Sequence, residues 1–239
     1  IHLMVSDYIL IALVTALAAL LRLHELDEFL PPMHGDEGEM AERALLARYG
    51  PDSGFGPAPL PFFGSDFLDH PTMYHYLQAG AFLVFGESIT GLRILSATSG
   101  ILCVPFIYLL GLWGWGRFAG FAGAWVFSVS HTYIQYSRIA LNNIQSILCM
   151  VIVMTLVVGL WVRGQQRTAG EAVSDSTRLL FPVLLIGLVT GLAQYLYFGS
   201  RLMLVIVPPV FLWFWGKKWL RGGQVIACLV AFMVAYLPQ

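Results

Sequence analysis

Charged residues are scarce in this chain: its 239 residues include 13 Lys and Arg and 14 Asp and Glu, or 11%. Average soluble domains carry about 25% charged residues, so this composition argues against an ordinary soluble enzyme. The formal net charge of −1 provides no basic surface for nucleic acid. The three cysteines are far apart in apolar runs and are expected to be small buried side chains, not a metal motif. Hydrophobic residues make up 58% of the chain, which is typical of a membrane protein.

Long charge-free runs predict where the chain crosses the membrane, because about 20 apolar residues span the hydrocarbon and a charge at its centre is costly. The seven runs are 8–21, 94–116, 118–137, 139–162, 179–200, 202–216 and 222–239. We therefore expect an all-α polytopic membrane protein with about seven transmembrane helices. Pro208 and Pro209 should kink the sixth helix. An alternative with six spans and one re-entrant run is left open.

The runs divide the chain into three regions. Residues 1–23 form the first transmembrane helix, residues 24–90 a long exterior loop, and residues 91–239 the remaining transmembrane bundle. The chain starts at Ile1 and its last run stops at Gln239 without a flanking charge. We therefore expect a fragment of a longer protein, with a truncated bundle that is inactive by itself.

Basic residues in short connections predict the topology, because these connections stay on the cytoplasmic side. Two basic residues, Arg138 and Arg201, fall in one set of alternate connections, and seven fall in the other: Arg117, Arg163, Arg167, Arg178, Lys217, Lys218 and Arg221. The loop of residues 24–90 is therefore predicted to face outward. We expect an integral protein of a bacterial plasma membrane with an outward-facing site.

Eleven of the fourteen acidic residues lie between residues 25 and 87, so function is sought there first. Asp36 is predicted to open a short helix that runs to about Tyr49 and stops at Gly50. Asp36 and Glu39 have the spacing of a capping box, and acids in a first turn complement the helix dipole. Glu37 and Glu42 are not needed for a cap. From this pattern, a role in helix capping and a functional role both stay open for these acids.

A segment rich in Pro and Gly follows at residues 50–66 and is predicted to be a loop that folds over a site. A second juxtamembrane helix is expected to begin at Asp69-His70-Pro71 and to include Tyr74. An alternative makes His70 a helix cap and Asp69 a first-turn acid.

Two arginines are predicted at the exterior ends of apolar helices, each close to tyrosines. Arg138 follows Tyr136-Ser137, and Arg201 ends the stretch Tyr197-Phe198-Gly199-Ser200-Arg201. Such arginines either extend to the lipid headgroups or bind a lipid phosphate through charge-assisted hydrogen bonds. We favour phosphate binding, because both lie on the side of the acidic loop.

The order of these motifs resembles the GT-C membrane glycosyltransferases. The motifs are His34-Gly35-Asp36-Glu37, then Asp69-His70-Pro71-Thr72-Met73-Tyr74, then the two arginine stretches. The chain is most similar to protein O-mannosyltransferases and to bacterial aminoarabinose transferases that modify lipid A. This resemblance implies a GT-C-type helical bundle. It also implies a polyprenyl-phosphate sugar donor, used at the outer face among membrane lipids, and a hydroxyl acceptor on a lipid, glycan or protein.

The resemblance also implies roles for individual residues. Asp36 would be the general base for the acceptor hydroxyl, with Glu37 orienting the acceptor or the sugar. Substrate binding would fall to Asp69, His70, Tyr74, Arg138, Tyr197 and Arg201, the two arginines stabilising the leaving phosphate. The chain departs from the aminoarabinose branch at His70, where that branch has a lysine. It also has Asn142 where many relatives have an acid.

A divalent cation is the one cofactor considered, and metal dependence is left open. His34, Asp36, Glu37, Asp69 and His70 offer suitable ligand atoms without a spacing that enforces a metal site. The alternative functions are an oligosaccharyltransferase-like enzyme, a lipid or sugar transporter, and a non-catalytic membrane partner. A transporter should have ionisable or helix-breaking residues near the midplane of several helices, whereas only Pro208-Pro209 qualifies here.

Overall fold

The computed structural model describes residues 3–28, 33, 35–50, 72–169 and 179–237. Across these residues the protein is entirely helical, with ten α-helices, one 3₁₀ helix at Phe198–Arg201 and no strand. The α-helices are α1 (Val5–Leu23), α2 (Gly35–Tyr49), α3 (Met73–Phe85), α4 (Ile89–Trp115), α5 (Arg117–Val129), α6 (His131–Arg138), α7 (Asn143–Thr168), α8 (Leu180–Ala193), α9 (Leu202–Gly216) and α10 (Gly222–Tyr236). The predicted all-α class is confirmed.

Four segments of the described chain are long and apolar enough to cross a membrane: α1, α4, α7 and residues 198–216. Helices α8 and α10 are apolar but shorter. The run 118–137, predicted as one span, is divided into α5 and α6 at Ser130, whose backbone is extended at φ −64° and ψ 123°. The count of seven spans therefore stays a prediction. The division of the chain into regions 1–23, 24–90 and 91–239 also stays a prediction.

Helix α7 lies between two hydrophobic cores. One core joins it to α1, α4 and α5, and includes Val14, Cys103 and Phe127. The other joins it to α8, α9 and α10, and includes Val183 and Phe211. Cys103 and Cys228 are buried and Cys149 is half-buried, all as free thiols. The bundle thus has two halves that share α7.

Hydrogen bonds identify the two ends of the bundle. Asp7 at the start of α1 accepts hydrogen bonds from Arg117, which begins α5. Arg22 near the end of α1 donates to Ser137 in α6. We call the first end, with residues 115–117, 163–169 and 217–222, the Arg117 end. We call the second, with α2, α3, α6 and the 3₁₀ helix, the α2 end.

The two short helices predicted in the first loop are both present at the α2 end. Helix α2 begins one residue before Asp36 and ends at Tyr49, followed by Gly50 with φ +78°, as predicted. Helix α3 begins at Met73, after the predicted start. The rest of the predicted Pro- and Gly-rich loop, residues 51–66, lies outside the described residues.

Small residues bring α8 and α10 into close contact. A Cβ atom on Gly187 would lie 2.2 Å from the carbonyl oxygen of Cys228. A Cβ atom on Gly191, one turn later, would lie 2.6 Å from the Cβ of Ala235. Glycines four residues apart let membrane helix backbones approach closely.

Gly187→Val is expected to destabilise the protein, because the added side chain must separate α8 from α10. Overpacking of this kind costs about 1–3 kcal/mol. Thermal unfolding of the purified protein in detergent measures the effect. Gly80→Ala in α3 is the matched control, since a Cβ atom there meets nothing within 4 Å. Equal unfolding temperatures for both variants would contradict the close packing of α8 and α10.

Candidate functional site

A buried ion pair attaches the first turn of α2 to the bundle. The Oε1 and Oε2 atoms of Glu37 lie 2.9 and 3.0 Å from Nε and Nη2 of Arg93 in α4. Both side chains are 1% exposed. Glu37 Oε1 also accepts a hydrogen bond from the Ala140 amide at 2.8 Å, and Arg93 Nη1 donates to the Leu26 carbonyl at 3.1 Å. The ion pair and these two hydrogen bonds compensate for burying the Glu37 carboxylate and the Arg93 guanidinium, which would otherwise be costly.

Asp36 is exposed while its neighbour Glu37 is buried. Consecutive residues of a helix face about 100° apart, so fixing Glu37 in the bundle turns Asp36 outward. Helix α2 begins at Gly35, so Asp36 lies inside the first turn and not at the N-cap expected for a capping box. This turn favours a negatively charged side chain. Glu37, in contrast, is buried and contacts Arg93 and Ala140. Its predicted role in orienting the acceptor or the sugar stays a prediction.

Arg138 contacts the end of α1. Its Nη1 donates to the carbonyl oxygens of Leu21 and His24 at 3.1 and 2.7 Å, and its Nη2 donates to that of Glu25 at 2.8 Å. A helix end leaves such carbonyls without intrahelical partners. The side chain is buried. This geometry supports a capping role for Arg138, and its predicted binding of phosphate stays a prediction.

Arg22 has the same role at the end of α5, which was not predicted from the sequence. Its Nη1 and Nη2 donate to the carbonyl oxygens of Ser128 and Phe127 at 3.0 and 3.1 Å. Its Nε donates to Ser137 Oγ at 3.2 Å. Arg22 and Arg93 each border a charge-free run, so they were interpreted only as limits of the spans. Their position next to a long apolar run was the available signal.

The turn that carries Tyr197 and Arg201 is attached to the start of α7. Asn142 Nδ2 donates to the Leu196 carbonyl at 2.8 Å, and the hydroxyl oxygens of Ser146 and Ser200 are 2.7 Å apart. Asn142, noted above as a departure from the related sequences, thus supports this turn. The exposed guanidinium of Arg201 lies 4.7 Å from the centre of the Phe198 ring. Tyr197 is half-buried beside it.

Tyr74 is fully buried between α2 and this turn. It packs with Met40 of α2 and with Leu196. Burial raises the pKa of the Tyr74 hydroxyl, so the group stays protonated. Met40 lies one turn after Asp36, and Leu196 directly precedes Tyr197. The structure therefore brings Asp36, Tyr197 and Arg201 to one end of the bundle, with Tyr74 in the packing between their elements.

The far end of α2 is fixed by Glu87, which precedes α4. Arg48 Nη1 lies 2.7 Å from Glu87 Oε1, and the Tyr49 hydroxyl donates to the same oxygen. The hydrogen bond to Glu87 raises the pKa of Tyr49. With Glu37 at its start and Tyr49 at its end, α2 is held at both termini.

Three of the predicted ligands or site residues, His34, Asp69 and His70, lie outside the described residues. Within the described part of the chain, no group of three or more His, Cys, Asp or Glu side chains comes together to hold a metal ion. The roles of Asp69 and His70 therefore stay predictions.

Comparison with known proteins gives one family. Residues 69–239 match the family model described as dolichyl-phosphate-mannose-protein mannosyltransferase. The match includes Arg138 and Arg201 and begins after α2, so it does not include Asp36 or Glu37. No curated protein and no solved structure matches the chain.

Proposed function

Because the chain belongs to the dolichyl-phosphate-mannose-protein mannosyltransferase family, we propose that it transfers a sugar from a polyprenyl-phosphate donor to an acceptor hydroxyl. The family that the motif order predicted is confirmed, and with it a membrane glycosyltransferase. The proposal adds the donor, a GT-C-type bundle, the general base Asp36, and an orientation with the α2 end outward. The acceptor hydroxyl belongs to a lipid, a glycan or a protein.

One observation carries the proposed donor: an apolar cleft lies along α9, the helix that begins directly after Arg201. The cleft has a volume of about 260 Å³ between α8, α9 and α10, and includes Leu204, Val207 and Phe211 of α9. Leu204 follows Arg201 by about one helical turn along the chain. A lipid phosphate has a charged head and a long hydrocarbon chain, so the guanidinium and the cleft suit its two parts.

In the proposed reaction, the Asp36 carboxylate takes the proton of the acceptor hydroxyl while its oxygen attacks the anomeric carbon. The bond from that carbon to the phosphate oxygen breaks, and polyprenyl phosphate leaves with the bonding electrons. Arg201 stabilises the negative charge that develops on the leaving phosphate. The proton ends on Asp36, the sugar on the acceptor oxygen and the negative charge on the released phosphate, so the reaction needs no further reactant.

The Glu37–Arg93 pair is proposed to position Asp36 without touching the substrate. The pair fixes the rotation of α2 about its axis, and it fixes the first turn against Ala140 and Leu26. A general base must stay within hydrogen-bond reach of the proton that it removes. Arg93 is therefore a positioning residue in this proposal.

Arg201→Ala is expected to lower kcat/KM for the lipid donor by about 10-fold to 100-fold, since a hydrogen bond to a charged group contributes about 1.5–3 kcal/mol. The measurement is the rate of sugar transfer by the full-length protein in membranes at increasing donor concentration. Arg201→Lys should recover part of the loss, because the charge is kept. Arg221→Ala at the Arg117 end is the control. An unchanged donor saturation curve in Arg201→Ala would count against the phosphate role.

A further inference from the structure

A second cleft lies at the Arg117 end of the bundle, opposite to the proposed catalytic site. It has a volume of about 310 Å³ and lies between α4, α7 and α8. Its walls include Trp113 of α4, Gly159, Arg163 and Gln166 of α7, and Phe181 and Pro182 of α8. The cleft thus combines one cation and one amide with aromatic and apolar side chains.

Arg163 is the charged group of this cleft, and its side chain is exposed. The structure gives it no hydrogen bond or ion pair with any described residue. Arg167, one turn later, instead donates to the Trp219 carbonyl at 3.3 Å, and Trp219 Nε1 donates to Thr168 Oγ1 at 2.9 Å. Arg167 therefore supports the fold, whereas Arg163 faces the cleft.

Among the described residues at the Arg117 end, basic side chains outnumber acidic ones, since Asp7 is the one acid there and is paired with Arg117. Helices α4 to α10 contain no Asp or Glu, whereas the Arg117 end carries Arg163, Arg167, Lys217, Lys218 and Arg221. An anion is thus the complementary ligand for Arg163. Basic pockets between membrane helices bind anionic lipid headgroups in this way.

The apolar part of the cleft suits a hydrocarbon chain. A Cβ atom on Gly159 of α7 would lie 3.1 Å from the Trp113 ring. The lack of a side chain at Gly159 therefore leaves room for this ring beside α7. Phe181 is exposed at the start of α8. Tryptophan rings at helix ends are typical of the interface between headgroups and hydrocarbon. An amphiphilic ligand therefore fits better than a free anion.

We propose that this cleft binds one anionic glycerophospholipid. Its phosphate contacts the Arg163 guanidinium and the Gln166 amide, and one acyl chain lies against Trp113 and Phe181. This site is separate from the proposed donor cleft, which is lined by residues further along α8 together with α9 and α10. Its occupant is a membrane component and takes no part in sugar transfer.

Native mass spectrometry of the full-length protein in detergent tests the proposal, with phosphatidylglycerol as the probe. Wild type should retain one phosphatidylglycerol in preference to phosphatidylcholine. Arg163→Ala should lower the affinity by about tenfold or more, because a charge-assisted contact is lost. Arg163→Gln should do the same while it keeps a polar side chain. Lys217→Ala, which removes an exposed positive charge at the same end, is the matched control.

Three results would overturn the proposal. The first is equal retention of phosphatidylglycerol by wild type and both Arg163 variants, and the second is an equal loss of binding in Lys217→Ala. The third is displacement of the lipid by inorganic phosphate at millimolar concentration, which would identify a free-phosphate site. Loss of binding in both Arg163 variants, with binding intact in Lys217→Ala and in excess phosphate, supports the lipid site.

Discussion

Asp36→Asn is expected to abolish sugar transfer and to leave the protein folded. The amide cannot accept the proton of the acceptor hydroxyl, and a general base contributes about 10²-fold to 10⁴-fold to a rate. Asparagine has nearly the same shape, and the first-turn charge that it removes contributes only about 0.3–1 kcal/mol, so α2 should still form. Asp36 is exposed, and the attachment of α2 depends on Glu37 next to it. Initial transfer rates in membranes and unfolding temperatures in detergent measure the two effects.

Glu42→Gln is the matched control for this prediction. Glu42 is another exposed acid of α2, and the substitution makes the same chemical change six residues further along the helix. It should transfer sugar at the wild-type rate. Equal rates for Asp36→Asn and Glu42→Gln would remove Asp36 as the base and return the acids of α2 to a role in helix stability.

Arg93→Leu is expected to cause the largest loss of stability, about 3–5 kcal/mol, because it leaves the Glu37 carboxylate buried without its partner. Glu37→Leu should have a similar effect by leaving the guanidinium unpaired. The double variant removes both charges and should recover part of the loss. Recovery should be incomplete, since the Ala140 amide and the Leu26 carbonyl lose their partners as well. Unfolding temperature in detergent and proteolysis within α2 report these effects.

The exposed ion pair between Arg43 and Glu39 is the control for the buried one. Its nitrogen and oxygen atoms are 3.1 Å apart, and it joins residues four apart on α2. Such a pair contributes only about 0.3–0.5 kcal/mol. A loss in Arg93→Leu no greater than in Arg43→Leu would contradict the anchoring role. A double variant that regains stability but not transfer would support a positioning role for Arg93, beyond its effect on stability.

The sequence predicted helices well where composition alone determines them. Helices α1, α4 and α7 each cover most of a charge-free run, because an apolar run of sufficient length has few alternatives in a membrane. The limits of α2 followed from Asp36 and from Gly50, whose positive φ few other residues adopt easily. The break at Ser130 was missed, since it lies inside an apolar run and hydropathy carries no information on backbone direction.

The site was harder to predict because its contacts join residues that are distant in sequence. Arg138 and Arg201 look alike in sequence, each at a helix end after tyrosine and serine. Arg138 nevertheless donates to the end of α1, whereas Arg201 is exposed beside Phe198. Glu37 was grouped with Asp36 as an acid of the same turn, and nothing in the local sequence indicates Arg93, 56 residues away, as its partner. Residues that look alike in sequence, or that share one motif, can therefore have different tertiary contacts and different roles.

The measurement that most directly tests the central proposal is a comparison of sugar donors. Membranes with the full-length protein are supplied with the same labelled sugar, either on polyprenyl phosphate or on a nucleotide, and transfer and release of the carrier are followed. The proposal predicts transfer from the polyprenyl-phosphate donor alone, with one polyprenyl phosphate released for each sugar. Equal transfer from the nucleotide sugar would contradict the proposed donor. No transfer from any lipid-linked sugar would contradict the proposed reaction and favour a transporter or a non-catalytic partner.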